Sequence, residues 1–79
     1  MTHRTILPIR NGGSQPLRVA VEPWANEYLL PPGERLEVIA TAPESMPTFE
    51  IEWTEHVMVV YVEGTGALYG IRKDGVDIN

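Results

Sequence analysis

The chain has no cysteine. That excludes disulfide bracing, thiolate metal sites and thiol nucleophiles, and it fits a reducing, cytoplasmic setting. Basic residues are scarce, six Lys and Arg against eleven Asp and Glu, for a net charge of −5. Binding a phosphate backbone or an anionic bilayer needs the opposite balance, so neither nucleic acid nor membrane is an expected partner. Long apolar runs are missing. The longest, Val57–Val62, falls far short of the ~18–20 residues that span a bilayer. Ile6, Leu7, Pro8 and Ile9, behind Met1-Thr2-His3-Arg4 and before Arg10, are too short a run for the apolar core of a signal peptide. No stretch keeps a 3.6-residue apolar period over three turns, so no helix is expected. There is no internal repeat, low-complexity tract or linker.

What the chain does have is punctuation. Asn11-Gly12-Gly13-Ser14, Pro31-Pro32-Gly33-Glu34, Gly64-Thr65-Gly66 and Asp74-Gly75 divide runs rich in Val, Ile, Leu and Tyr. The 79 residues make one domain, residues 1–79, which buries only about 60% of its unfolded surface. Eight short strands are expected. Arg4–Arg10 turns Thr5, Leu7 and Ile9 to one side, and Leu17–Glu22 turns Leu17, Val19 and Val21 inward and Arg18, Ala20 and Glu22 outward. Asn26–Leu30 follows a break at Pro23. Pro32 and Gly33 suit the second and third positions of a type II turn, which leads into Arg35–Thr41, with Leu36, Val38 and Ala40 opposite Arg35, Glu37 and Ile39.

The two prolines of the link Ala42–Pro47 bar a helix interior or a central strand, so that link is expected to cross between sheets. Thr48–Thr54 alternates most sharply, Phe49, Ile51 and Trp53 against Glu50, Glu52 and Thr54. Val57–Val62 is apolar on both faces, which predicts a central strand or one that meets a partner. Ala67–Lys73 and Val76–Ile78 flank Asp74-Gly75, a strong two-residue hairpin signal. Asn11-Gly12 is expected to supply the positive φ of a tight reversal. Together these features predict an all-β fold, a small two-sheet β-sandwich of about seven or eight mostly antiparallel strands. The alternative is a small barrel.

Chemistry-bearing residues are few. Ser14 and Ser45 sit in turns with no nucleophile motif around them, and His3 and His56 form a metal site only if the fold joins them. Asp74-Gly75-Val76-Asp77 lacks the later ligands of a calcium loop. Glu50 and Glu52, on one face of a strand and close to Glu55, have the carboxylate pairing of a glycosidase, but the chain has little material for a sugar cleft. Trp24 stands in an irregular segment near Glu22, Pro23, Asn26 and Glu27, with Tyr28 four residues on. It is either a corner plug, its indole N–H bonded to a carbonyl, or an exposed anchor. The candidate binding residues are Trp24, Tyr28, Glu22 and Tyr61. No cofactor or metal is implied.

Glu22-Pro23-Trp24 followed by Tyr28-Leu29-Leu30-Pro31-Pro32-Gly33-Glu34, with an alternating strand and then the apolar Val57–Val62 strand, resembles a group of small bacterial β-proteins without an assigned activity. The resemblance covers about residues 17–78. It implies a bacterial or phage source and a free-standing small domain, and it assigns no site.

The charges are unevenly placed. Residues 1–21 hold Arg4, Arg10 and Arg18 and no acid, whereas residues 22–63 hold nine Glu against Arg35 alone. These readings lead to an expected non-enzymatic protein-interaction module, acting as an accessory subunit, adaptor or inhibitor and able to form a homo-oligomer. A small-ligand or carbohydrate-binding module built on exposed aromatics, Tyr69 among them, is the alternative. A hydrolase using paired Glu is the remote one.

Overall fold

The computed structural model describes residues 1–78. Among these residues eight strands form, β1 (His3–Arg10), β2 (Leu17–Glu22), β3 (Asn26–Leu30), β4 (Arg35–Ala42), β5 (Thr48–Trp53), β6 (Val57–Glu63), β7 (Leu68–Lys73) and β8 (Val76–Asp77). They make two four-stranded sheets, ordered β1-β4-β7-β8 and β3-β2-β6-β5. All pairings are antiparallel except β2 with β6. The fold is the expected β-sandwich. The sheets stay separate, so the barrel alternative does not apply.

Inward-facing residues follow the two-residue period of a strand. Ile9, Leu36, Val38, Ala40 and Ile71 from one sheet meet Val19, Val21, Leu30, Val60 and Val62 from the other. Ala20 and Ile39 have the expected outward parity, yet both are buried. Each lies on an inner strand, where neighbouring strands' side chains cover it. β6 is central, between β2 and β5, which accounts for apolar residues on both its faces.

The links behave according to which sheets they join. The Ala42–Pro47 segment does cross between sheets, and so do the links after β1, β3 and β6. At Pro31–Glu34 the Glu34 N–H donates to Pro31 C=O at 3.2 Å and Gly33 takes φ +80°, the expected type II geometry. Asp74 and Gly75 both take positive φ and close the β7–β8 hairpin as a type I′ turn.

The Asn11-Gly12 expectation is corrected. Neither residue takes positive φ, because the chain here changes sheets instead of folding back as a hairpin. Among the described residues Asn11 is the buried polar one, 5% exposed. Its Nδ2 donates to Gln15 C=O at 2.7 Å and Leu30 C=O at 2.9 Å, and its Oδ1 accepts from Gly13 N–H at 2.9 Å. Its backbone bonds to Glu34 and Gly33. One amide side chain thus joins the end of β1, the loop and the end of β3.

Candidate functional site

The four sequence-derived candidates separate into two places. Glu22 and Tyr61 are register partners on the outward face of the β3-β2-β6-β5 sheet. Tyr28 pairs with Val19, on the inward face of that sheet. Trp24, in the β2–β3 turn, lies half-buried and packs against the core with Tyr28 and Tyr69. The Trp24 and Tyr69 rings are 4.6 Å apart and tilted by 43°, an ordinary favourable aromatic pairing. Tyr69 on β7 and Tyr28 on β3 share a hydroxyl–hydroxyl hydrogen bond of 2.7 Å, and Asn26 Nδ2 donates to Tyr69 Oη at 2.6 Å. This corner joins the two sheets. Among the described residues nothing accepts a hydrogen bond from the Trp24 indole, so of the corner-plug alternative the packing is seen, through the Tyr69 ring contact, and the indole–carbonyl bond is not.

On the outward face, Tyr61 Oη donates to Glu52 Oε1 at 2.9 Å. That bond, partial desolvation and the charges of Glu52, Glu22 and Glu50 hold the phenol above its usual pKa. Glu50 and Glu52 do share a face, with Tyr61, and together with Ile51 at the strand edge they line a shallow hollow of about 320 Å³. It is an open sheet surface, unlike the deep cleft in which a glycosidase holds its sugar. His3 starts β1, where it pairs with Ala42. His56 lies in the β5–β6 turn, 3.8 Å from Glu55. Among the described residues no group of three or more His, Cys, Asp or Glu is placed to hold a metal ion.

The feature that sequence reasoning missed is β5. Its parity is as expected, with Phe49, Ile51 and Trp53 on the inward face beside Val62, Val60 and Met58. Its burial is not. Phe49 is half-buried against the core, Ile51 is 39% exposed and Trp53 64%. β5 is an edge strand, so its apolar row has a neighbour strand on one side only. The amphipathic alternation signalled a buried face but carried no information about whether anything would cover it.

The backbone of β5 is open as well. Thr54 N–H donates to Val57 C=O at 3.0 Å, which makes that a hydrogen-bonded pair. Antiparallel ladders alternate, so Glu52–Val59 and Glu50–Tyr61 bond in turn. Phe49, Ile51 and Trp53 therefore turn their N–H and C=O groups to the free edge. The other edges are blunted. β8 has two residues. On β1 the same alternation, fixed by Asn11 N–H on Glu34 C=O at 2.9 Å, puts Pro8 at an outward-turned position, where its missing N–H disrupts any added strand. β3 is a five-residue strand running straight into Pro31. β5 has six residues and no proline.

The two outer faces differ in sign. One carries Arg4, Arg10, Arg35 and Arg72 against Glu37 and Asp77, and the other Glu22, Glu27, Glu50, Glu52 and Glu63 against Arg18. Arg18 is already paired with Glu27 at 2.7 Å. No known protein family, no curated protein and no solved structure matches the chain.

Proposed function

We propose that this protein is a non-enzymatic protein-interaction module, an accessory subunit, adaptor or inhibitor, that takes an extended segment of its partner onto the free edge of β5. One observation carries this reading. The strand that turns Phe49, Ile51 and Trp53 N–H and C=O groups outward also leaves the Ile51 and Trp53 side chains exposed. Strand addition uses that pairing of features, main-chain hydrogen bonds for affinity and alternate side-chain sites for selectivity. Trp53 is the aromatic anchor that such interfaces favour.

The test is capture by the tagged protein from its native cells, run beside two variants. Ile51→Pro removes an outward-turned donor that takes no part in the β5–β6 ladder, and Trp53→Ala removes the anchor. Amide spectra establish that each variant is folded. A stoichiometric partner held by the wild type and lost from both folded variants supports the reading. A partner held equally by all three refutes it.

The Trp24, Tyr28, Tyr69 and Asn26 corner supports a second reading, a small-ligand or saccharide site, because it gathers aromatic rings and polar groups in one place. It is the weaker reading, since those hydroxyls and the amide already bond to one another. Saccharide titration with amide shifts read at Trp24 and Tyr69 decides it.

A further inference from the structure

We infer that the segment received by β5 alternates lysine or arginine with apolar side chains. This rests on the reading of β5 as a docking edge. A strand added there continues the β3-β2-β6-β5 sheet, and its side chains alternate between the two faces. Those on the inward side fall beside Phe49, Ile51 and Trp53, where apolar groups cover surface the core leaves open. Those on the outward side fall beside Glu50 and Glu52.

The outward side selects for positive charge. Among the described residues no Lys or Arg pairs with Glu50 or Glu52. Glu52 accepts a neutral hydrogen bond from Tyr61, and Glu22 stands opposite Tyr61 across the β2–β6 pairing. The raised phenol of Tyr61 reports the same local negative potential. Opposite charges across paired strands stabilise the pairing and like charges weaken it. The same rule argues against a second copy as the occupant. Antiparallel β5–β5 pairing would set Glu50 and Glu52 against their own counterparts on one face. At ~3.4 Å per residue, β5 offers about 20 Å of edge, enough for a five- or six-residue segment.

The experiment uses the intact, isotope-labelled protein and three end-blocked hexapeptides, in which valine alternates with lysine, threonine or glutamate. Amide shifts of Phe49, Ile51 and Trp53, and the Trp53 indole signal, report on the edge. The expected result is saturable binding of the lysine peptide at these positions, about tenfold tighter than the threonine peptide and falling as salt rises. The glutamate peptide should be weaker still. In a folded Glu50→Gln, Glu52→Gln double variant the lysine and threonine peptides should bind alike. Equal binding of lysine and threonine peptides to the wild-type edge overturns the charge inference and leaves the docking edge standing. No shift at β5 with any of the three overturns both. Lysine-peptide shifts confined to residues away from β5 also overturn the inference.

Discussion

The hydroxyls of Tyr28 and Tyr69 meet at 2.7 Å, across 41 residues of sequence and from opposite sheets. Tyr69 also accepts from Asn26 and packs against Trp24, so this one side chain ties the β2–β3 turn to β7. Tyr69→Phe loses the bonds to Asn26 and Tyr28 and keeps the ring contact, and Tyr28→Phe also breaks the bond between the two hydroxyls. The expected cost is about 1 kcal/mol for each hydrogen bond lost. At ~4–8 °C per kcal/mol for a domain of this size, the melting temperature reports both. The double variant should cost less than the two singles combined, because the shared bond is lost only once. Strict additivity would show that the bond contributes nothing.

Asn11 bonds through its side chain to Gln15, Leu30 and Gly13 from a position 5% exposed. Asn11→Ala strands a buried carbonyl and should destabilise the fold by about 2–3 kcal/mol. Asn11→Asp keeps an acceptor but loses both donated bonds, and it buries a charge. It should be no better tolerated than alanine. Chemical denaturation at unchanged m-value measures both.

Truncating Trp53 should barely change stability, within about 0.5 kcal/mol, because the side chain is 64% exposed. Leu30 is fully buried, and Leu30→Ala should cost about 3 kcal/mol through lost burial and the cavity left behind. A large loss of stability in Trp53→Ala would mean that Trp53 is packed, and would count against its place at a docking edge.

Tyr61 should ionise above the ordinary tyrosine range, because its phenol donates to Glu52 and its phenolate would sit beside Glu52, Glu22 and Glu50. The folded pKa is raised above the unfolded one. The associated stabilisation is therefore complete below about pH 10, the unfolded value, and is lost as pH rises through the folded value. The carbon shift of the Tyr61 ring at its hydroxyl should follow this titration. Glu52→Gln should move the midpoint down, and an unmoved midpoint would remove Glu52 as the main cause.

The sequence by itself determined the strands. Strand and turn signals are local, carried by the period of two in Leu17–Glu22 and Arg35–Thr41 and by the φ preferences of Pro32-Gly33 and Asp74-Gly75, and they place each element to within about one or two residues. It also determined the absence of thiol chemistry and the acidic balance. Tertiary structure decided which sheet each strand joins, because that depends on pairings far apart in sequence, such as the parallel β2–β6 ladder and the Asn11 bridge to Leu30. It decided that Trp24 is held at a corner by Tyr69, and that Phe49, Ile51 and Trp53, one apolar face on paper, grade from half-buried to exposed. Alternation records which side of a strand a residue faces. Whether that side is covered depends on what lies across the sandwich and beyond the last strand, and only the assembled sheets fix that.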